Sequence, residues 1–235
     1  MPFRIRQSIE SCADCSHRTL RMFCNMGEAA LDRFNKLGLH ISFPAGVVVF
    51  DESQPVNNIF VVCSGRLKLS VTSSEGRTMI LRLAAPGDVL GLSAVLSNQK
   101  YEVTAETLEP TQLKSVRRAD FLSLFEDFPE VGQKAARVAA QEYRAAYLDA
   151  RRLAIAGSAA AKLAQLLLEW AGSCSPEKQD LRLIMTLTHE ELASMCGLSR
   201  ETVTRTLNQF ERDKWIERRG SSLIIRDFAA LDALA

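Results

Sequence analysis

The sequence predicts an α+β chain: an amino-terminal antiparallel β-roll of the jelly-roll kind, a long helix, and a carboxy-terminal winged helix-turn-helix. Three observations predict it. Between Ile41 and Phe121 short β-rich runs alternate with turn residues, the pattern of an antiparallel barrel or jelly roll. From Pro129 the pattern turns helical, and neither proline nor glycine interrupts Gln133 to Ala156. Residues 188–226 then read as two short helices joined by a glycine turn and followed by a hairpin. The expected divisions are a cysteine-bearing segment (1–27), the β-roll (28–128), the long helix (129–156) and the winged helix-turn-helix (157–235).

A short helix is expected over about Leu31 to Leu39. Ser42-Phe43-Pro44-Ala45-Gly46 precedes the run Val47-Val48-Val49-Phe50, and Asn57-Asn58 precedes Ile59-Phe60-Val61-Val62-Cys63. Gly65 introduces the alternating Leu67-Lys68-Leu69-Ser70-Val71. Ser73-Ser74-Glu75-Gly76 turns into Thr78-Met79-Ile80-Leu81, and Pro86-Gly87-Asp88 makes a further turn. Pro129 suits the first turn of a helix, where its missing N–H costs nothing. The stretch from Gln133 to Ala156 gives about six turns and roughly 35 Å of helix. Along it Ala136, Ala140, Tyr143, Tyr147, Ala150 and Ala154 recur at spacings of four and three. That is a heptad seam on which two copies could pack closely; the same stripe could be the core face of a helix within one subunit. Gly157-Ser158 breaks the helix, Ala159 to Ala171 forms another, and a short apolar tail follows Asp227.

Thr188 and Glu191 have capping-box spacing at the start of the first short helix. Gly197 sits where that helix must stop in a left-handed conformation, and Ser199 can cap the next. At 100° per residue Val203, Leu207 and Phe210 share one face of the second helix, with Arg200, Glu201, Thr204, Arg205 and Asn208 opposite. An exposed row of Arg, Glu and Asn supplies what base edges in a major groove require, although an ordinary solvated face has the same pattern. Trp215 to Arg219 and Leu223 to Arg226 flank Gly220-Ser221-Ser222, a strand-turn-strand signal that makes the unit a winged helix. Arg218 and Arg219 in the wing are expected to meet phosphates. The arrangement predicts a protein that binds double-stranded DNA.

Composition narrows the alternatives. The 235 residues are 47% apolar with a formal net charge of +1, which argues against global disorder and against nonspecific coating of nucleic acid. Within 197–226, however, seven basic residues face four acidic ones. No apolar run approaches the roughly 18 residues of a membrane span, and Met1 to Ser11 lacks the apolar core of a signal peptide. A cytoplasmic protein is expected, whose cysteines are thiols, metal ligands or packing residues. Walker, GxSxG and HExxH motifs are absent. His189 and Glu190 near Cys196 read as helix-start polarity and packing, so no enzyme is expected.

These parts resemble the superfamily of the cyclic-AMP receptor protein and the oxygen regulator FNR. The resemblance covers about residues 28–227. Its most specific pieces are Gly65-Arg66-Leu67-Lys68-Leu69, Pro86-Gly87-Asp88-Val89-Leu90-Gly91 and Gly197-Leu198-Ser199-Arg200-Glu201-Thr202-Val203-Thr204-Arg205. It implies a homodimeric transcription factor acting on promoter DNA and on RNA polymerase. It also implies that Arg200 and Arg205 contact guanines and Glu201 a cytosine, in half-sites nearer TGTGA than TTGAT. Cyclic-nucleotide binders of the superfamily carry a glutamate after the Pro-Gly-Asp-x-x-Gly turn and an arginine further on. Here Leu92 follows Gly91, and the later segment reads Val103-Thr104-Ala105 beside Glu102. That chemistry argues against cyclic AMP.

The other candidate sensor is Cys12-Ala13-Asp14-Cys15, followed after eight residues by Cys24. Thiolates suit zinc, iron–sulfur clusters or copper(I). FNR-type sensors carry a comparable group holding a [4Fe–4S] cluster, which oxygen or nitric oxide degrades, weakening the dimer and releasing DNA. The resemblance therefore implies a cluster on Cys12, Cys15 and Cys24. FNR's fourth cysteine falls where this chain has Lys114 or a neighbour. Cys63 could complete the site or be an inward packing residue, and Asp14 or His17 could serve instead. Another metal, a redox thiol pair and a segment without cofactor stay open. His17, His40 and His189 are the only histidines, none at an obvious haem-ligand position, and Cys174 and Cys196 are expected to be bystanders.

Overall fold

The computed structural model describes residues 11–12, 15, 18–21, 23–155, 157–172, 181–184, 187–220 and 222–234. The chain divides into two compact units, residues 1–77 with 81–145, and residues 78–80 with 146–235.

In the first unit a single 3-10 turn at Arg18–Leu20 leads into α1 (Glu28–Lys36). Strands β1 (Leu39–Phe43), β2 (Val48–Phe50), β3 (Asn58–Ser64), β4 (Leu67–Thr72), β5 (Thr78–Ala84) and β6 (Val89–Leu90) follow. Then come α2 (Leu92–Ser97), β7 (Thr104–Thr107), β8 (Thr111–Arg117), α3 (Arg118–Asp127) and α4 (Pro129–Ile155). The strands form two four-stranded sheets, ordered β1-β8-β3-β6 and β2-β7-β4-β5, so the expected jelly roll is present. Alternation along β3 feeds two cores. Ile59 and Val61 join Phe23, Phe34, Phe121, Val131 and Val138, while Phe60 and Val62 join Phe50, Leu67 and Leu113. Burial on both faces explains why this strand reads as a continuous apolar run rather than an alternating one.

The first helix differs from expectation. It runs Glu28–Lys36 rather than Leu31 to Leu39, and Leu39–Phe43 is a strand pairing Leu39 with Ser115 and Phe43 with Thr111. Gly38 divides the two. Its φ is 66°, and a Cβ there would lie 1.9 Å from the Ser115 carbonyl oxygen. The backbone of β8 thus occupies the space a continuing helix would need. Helices α2 and α3 lie within or against the stretch expected to be β-rich, and Pro129 is the first residue of α4 as its fixed φ favours.

The second unit contains α5 (Ala159–Gly172), β9 (Leu181–Ile184), α6 (His189–Cys196), α7 (Arg200–Arg212), β10 (Ile216–Arg219), β11 (Ser222–Ile225) and α8 (Phe228–Asp232). The wing is a three-stranded sheet, β10-β11-β9, rather than a lone hairpin. All four residues of β11 are buried, and a two-stranded ribbon could not cover such a strand on both edges. The expected apolar tail forms α8, capped by the Asp227 carboxylate on the Ala230 N–H.

Candidate functional site

The helix-turn-helix forms as its sequence specifies. Thr188 accepts from the Glu191 N–H while the Glu191 carboxylate accepts from the Thr188 N–H, closing the capping box. Gly197 has φ 62° and Ser199 accepts from the Thr202 N–H, so α7 starts at Arg200. Val203, Leu207 and Phe210 are buried, and the Trp215 ring lies 5.5 Å from that of Phe210. Arg200, Glu201, Arg205 and Asn208 are exposed on the opposite face. The Glu201 carboxyl is held below the usual range by backbone N–H at the helix start and by the Ser199 hydroxyl. It is therefore an ionised, acceptor-only group at neutral pH, the chemistry an amino group of cytosine requires.

Three expected DNA contacts also make bonds within the unit. Thr204 is half-buried; its hydroxyl donates to the Arg200 carbonyl and lies 2.8 Å from His189 Nδ1. Arg218 bonds the Glu211 carboxylate and donates through Nη2 to Asn208 Oδ1 over 2.7 Å. Arg219 pairs with Glu217, which also holds Arg226.

In the first unit the structure brings Cys12, Cys15, Cys24 and Cys63 to one cavity of about 560 Å³. One wall is the β1-β8-β3 sheet, where His40 pairs with Lys114 and Lys114 with Val61. The β3–β8 register then slips between Val62 and Ser64, leaving Cys63 as the extra residue of a bulge, a device that re-aims a side chain. The amino-terminal segment forms the other wall. The Cys12 N–H donates to Asn35 Oδ1, and Cys12 Sγ lies 3.6 Å from His40 Nε2. Arg21 donates to the Cys63 carbonyl over 2.8 Å and reaches to 3.9 Å from Cys15 Sγ. Cys12 and Cys24 rest on the core that holds Phe23 and Phe34.

Charge around the cavity is one-sided. Arg18, Arg21 and Lys114 line it, and no carboxylate does so among the described residues. Burial pushes the Cys24 thiol up to about 11 and the Cys63 thiol up to about 12, against the pull of Arg21. Cys12 is raised by burial too, opposed chiefly by Lys114. Among the described residues no three His, Cys, Asp or Glu side chains are close enough to hold a single metal ion. All five cysteines described are free thiols. Cys196 is buried in the second unit, apart from this set; Asp14, His17 and Cys174 lie outside the described residues.

Contacts lead from the cavity to α4 inside the same unit. Arg21 packs along the Pro86-Gly87-Asp88 turn, its Cγ 3.0 Å from where a Gly87 Cβ would stand. Asp88 pairs with Arg82 at 3.2 Å, and Arg82 with Glu142 of α4 at 3.0 Å. On α4 the expected seam is solvent-facing in the single chain: Ala136, Ala140, Tyr143, Tyr147, Ala150 and Ala154 are all exposed. In the roll Leu92 is buried, and the Tyr101 ring stacks on Phe50 at 4.1 Å, its hydroxyl donating to the Asn58 carbonyl. The sequence singled out the cysteines but missed Arg21 and Asn35. Arg21 carried a signal, a cation placed between Cys15 and Cys24.

Comparison with known proteins agrees with this architecture. Residues 40–128 match the model of the cyclic nucleotide-binding domain, and residues 161–234 that of the Crp-like helix-turn-helix domain. A CRP-like cAMP-activated global transcriptional regulator of Mycobacterium tuberculosis is 28% identical over 88% of this chain and 92% of its own length. The transcriptional activator FnrL of Cereibacter sphaeroides is 29% identical over 95% of this chain and 91% of its own. The solved structure of FixK2 from Bradyrhizobium japonicum superposes with a TM-score of 0.76 at 23% identity, covering 84% of this chain and 97% of that one. Among the described residues no helix is long and apolar enough to cross a membrane. With a β-roll, a long helix and a Crp-like helix-turn-helix in that order, the chain belongs to the CRP/FNR superfamily of DNA-binding transcription regulators.

Proposed function

We propose that this regulator is a homodimer whose hold on DNA follows the state of a cysteine-ligated [4Fe–4S] cluster, and hence oxygen, nitric oxide or redox state. The supporting observation is the meeting of Cys12, Cys15 and Cys24 with Cys63, from a strand far along the chain, around one cation-lined cavity. The donor set fits. Four thiolates are the usual ligands of such a cluster. When bound, the cluster supplies reactivity toward oxygen and nitric oxide. The chain's own residues do the rest. Arg21 ties the cysteine segment to β3 and to the Pro86–Asp88 turn. The Asp88–Arg82–Glu142 ion pairs continue from that turn to α4, whose exposed seam pairs with a second copy.

On DNA, Arg200 and Arg205 read guanines and Glu201 a cytosine in TGTGA-like half-sites about one helical turn apart. Leu92 in place of a carboxylate leaves cyclic AMP without its ribose partner. RNA polymerase is the further partner of the DNA-bound dimer. The test is protein purified without oxygen: a broad absorption near ~400 nm that bleaches in air, with iron and sulfide. Retardation of a TGTGA palindrome should be lost on aeration. Iron-free protein that binds this DNA equally in air and without it defeats the proposal.

A further inference from the structure

Lys114 is buried to 2% exposure, one of the largest fully buried side chains in the protein. It projects from β8, a central strand, into the cavity shared by the four cysteines. Its ammonium donates to the Asn35 carbonyl over 2.9 Å and lies 5.9 Å from the centre of the Phe34 ring. Neither partner is charged. A buried ammonium is costly unless an opposite charge accompanies it, and the described lining of the cavity contains no carboxylate. Burial pulls the ammonium below the usual lysine range, and the charges that would offset this are the sulfurs of Cys12 and Cys63 in the same cavity.

We propose that Lys114 is the built-in countercation of the cysteine site. Its charge selects an anionic tetrathiolate metal centre as occupant and raises the reduction potential of that centre. The proposal rests on the metal-site assignment above. A cluster held by four thiolates carries net negative charge, and reduction makes it more negative still. A cation fixed in a low-dielectric wall favours the bound state over the empty one, and the reduced state over the oxidised. Lys114 is then a positioning charge that touches no iron. In the metal-free protein it is left as an uncompensated buried cation.

That opposition gives the test. Lys114→Met keeps the volume of the aliphatic stem and removes the charge; Lys114→Arg keeps a cation. Full-length protein prepared without oxygen is compared for melting of the metal-free form, for the rate of iron loss to a chelator, and for midpoint potential. Lys114→Met should melt higher when metal-free, because a buried charge is gone, yet lose iron several-fold faster. Its potential should fall by about tenfold in the one-electron equilibrium, ~59 mV. Lys114→Arg should stay near wild type in potential. If Lys114→Met melts lower when metal-free while potential and iron loss are unchanged, the lysine serves packing alone and the proposal falls. Wild-type protein that holds zinc instead of iron overturns the cluster and with it the effect on potential, and leaves only the charge selection to be tested, since a zinc tetrathiolate is anionic too. Lys114→Met must then weaken zinc affinity. Wild-type protein that holds no thiophilic metal overturns both.

Discussion

Arg21 holds the backbone carbonyl of Cys63 through Nη2, 2.8 Å away, across 42 positions of sequence. The same guanidinium reaches Cys15 Sγ at 3.9 Å, and its stem lies along the turn at Gly87. One side chain therefore fastens the cysteine segment to the sheet. A hydrogen bond from a charged donor contributes roughly 1.5–3 kcal/mol when buried, and Arg21 is half-buried, so the lower end applies. Arg21→Met, which keeps the stem, should destabilise the metal-free first unit by about 1.5 kcal/mol in denaturant. It should also speed proteolysis within residues 12–24. Unchanged cleavage would show that the segment is fixed by its core contacts alone.

Cys63 separates a ligand from a packing residue. Its thiol, raised by burial to about 12, is protonated in the metal-free protein at neutral pH. Metal ligation must displace that proton, so assembly should release protons and weaken as pH falls. Stability runs the other way. A thiol whose pKa rises on folding binds its proton more tightly in the folded state. Its contribution is full below about 8.5, the unfolded value, and is lost as pH rises toward 12. Cys63→Ser should abolish bound iron and flatten the alkaline loss of stability in the metal-free protein. Iron retained by Cys63→Ser would make this residue a core side chain. Cys196→Ser, in the other unit, should leave iron content unchanged.

Arg200 and Arg218 should fail in different ways. Arg200 is exposed on α7, and Arg200→Ala should cost about 1–3 kcal/mol and relax preference at one guanine of each half-site. Arg218, expected from sequence to hold a phosphate, also bonds Asn208 Oδ1 and the Glu211 carboxylate. That bond takes one of the two lone pairs of Asn208 Oδ1 and fixes the amide, so Arg218 sets how Asn208 meets a base. Arg218→Met should therefore alter preference at the base that Asn208 reads and leave the salt slope near that of wild type. Binding measured across single-base variants of a TGTGA palindrome at two salt concentrations checks this. A uniform loss with a shallower slope would restore the phosphate contact.

What the sequence disclosed follows its periodicity. The capping box at Thr188, the glycine stop at Gly197 and the Val203–Leu207–Phe210 face are local, and each forms as read. The start of β1 was missed, with Leu39 read as the end of a helix and Ser42-Phe43 as part of a turn, because β8, which closes off Gly38, lies about 75 positions further along. Strand β9 was missed since its partner β11 is likewise distant. For the cysteines, spacing gave three members of the set and left Cys63 undecided. Its membership depends on a β-bulge, which sequence alternation does not reveal. Lys114 carried a signal in retrospect: a single charge between Leu113 and Ser115 on a strand buried at both.

Assembly supplies the last prediction. Tyr143 is 77% exposed and Tyr147 63% exposed in the single chain, large side chains on a stripe otherwise made of alanines. Alanines at that spacing allow two helices to approach closely, and the tyrosines fill the space between them. A carboxylate placed there would be buried without a partner in the dimer and fully hydrated in the monomer. Tyr147→Glu should thus split the dimer while leaving each chain folded. Sedimentation velocity should show a slower species, circular dichroism should stay at wild-type values, and DNA affinity should fall with the loss of the paired half-site. Gln141→Glu adds the same charge about 120° round the helix from Tyr147 and should leave the dimer intact. If Tyr147→Glu sediments as wild type, the two-fold interface lies off this seam.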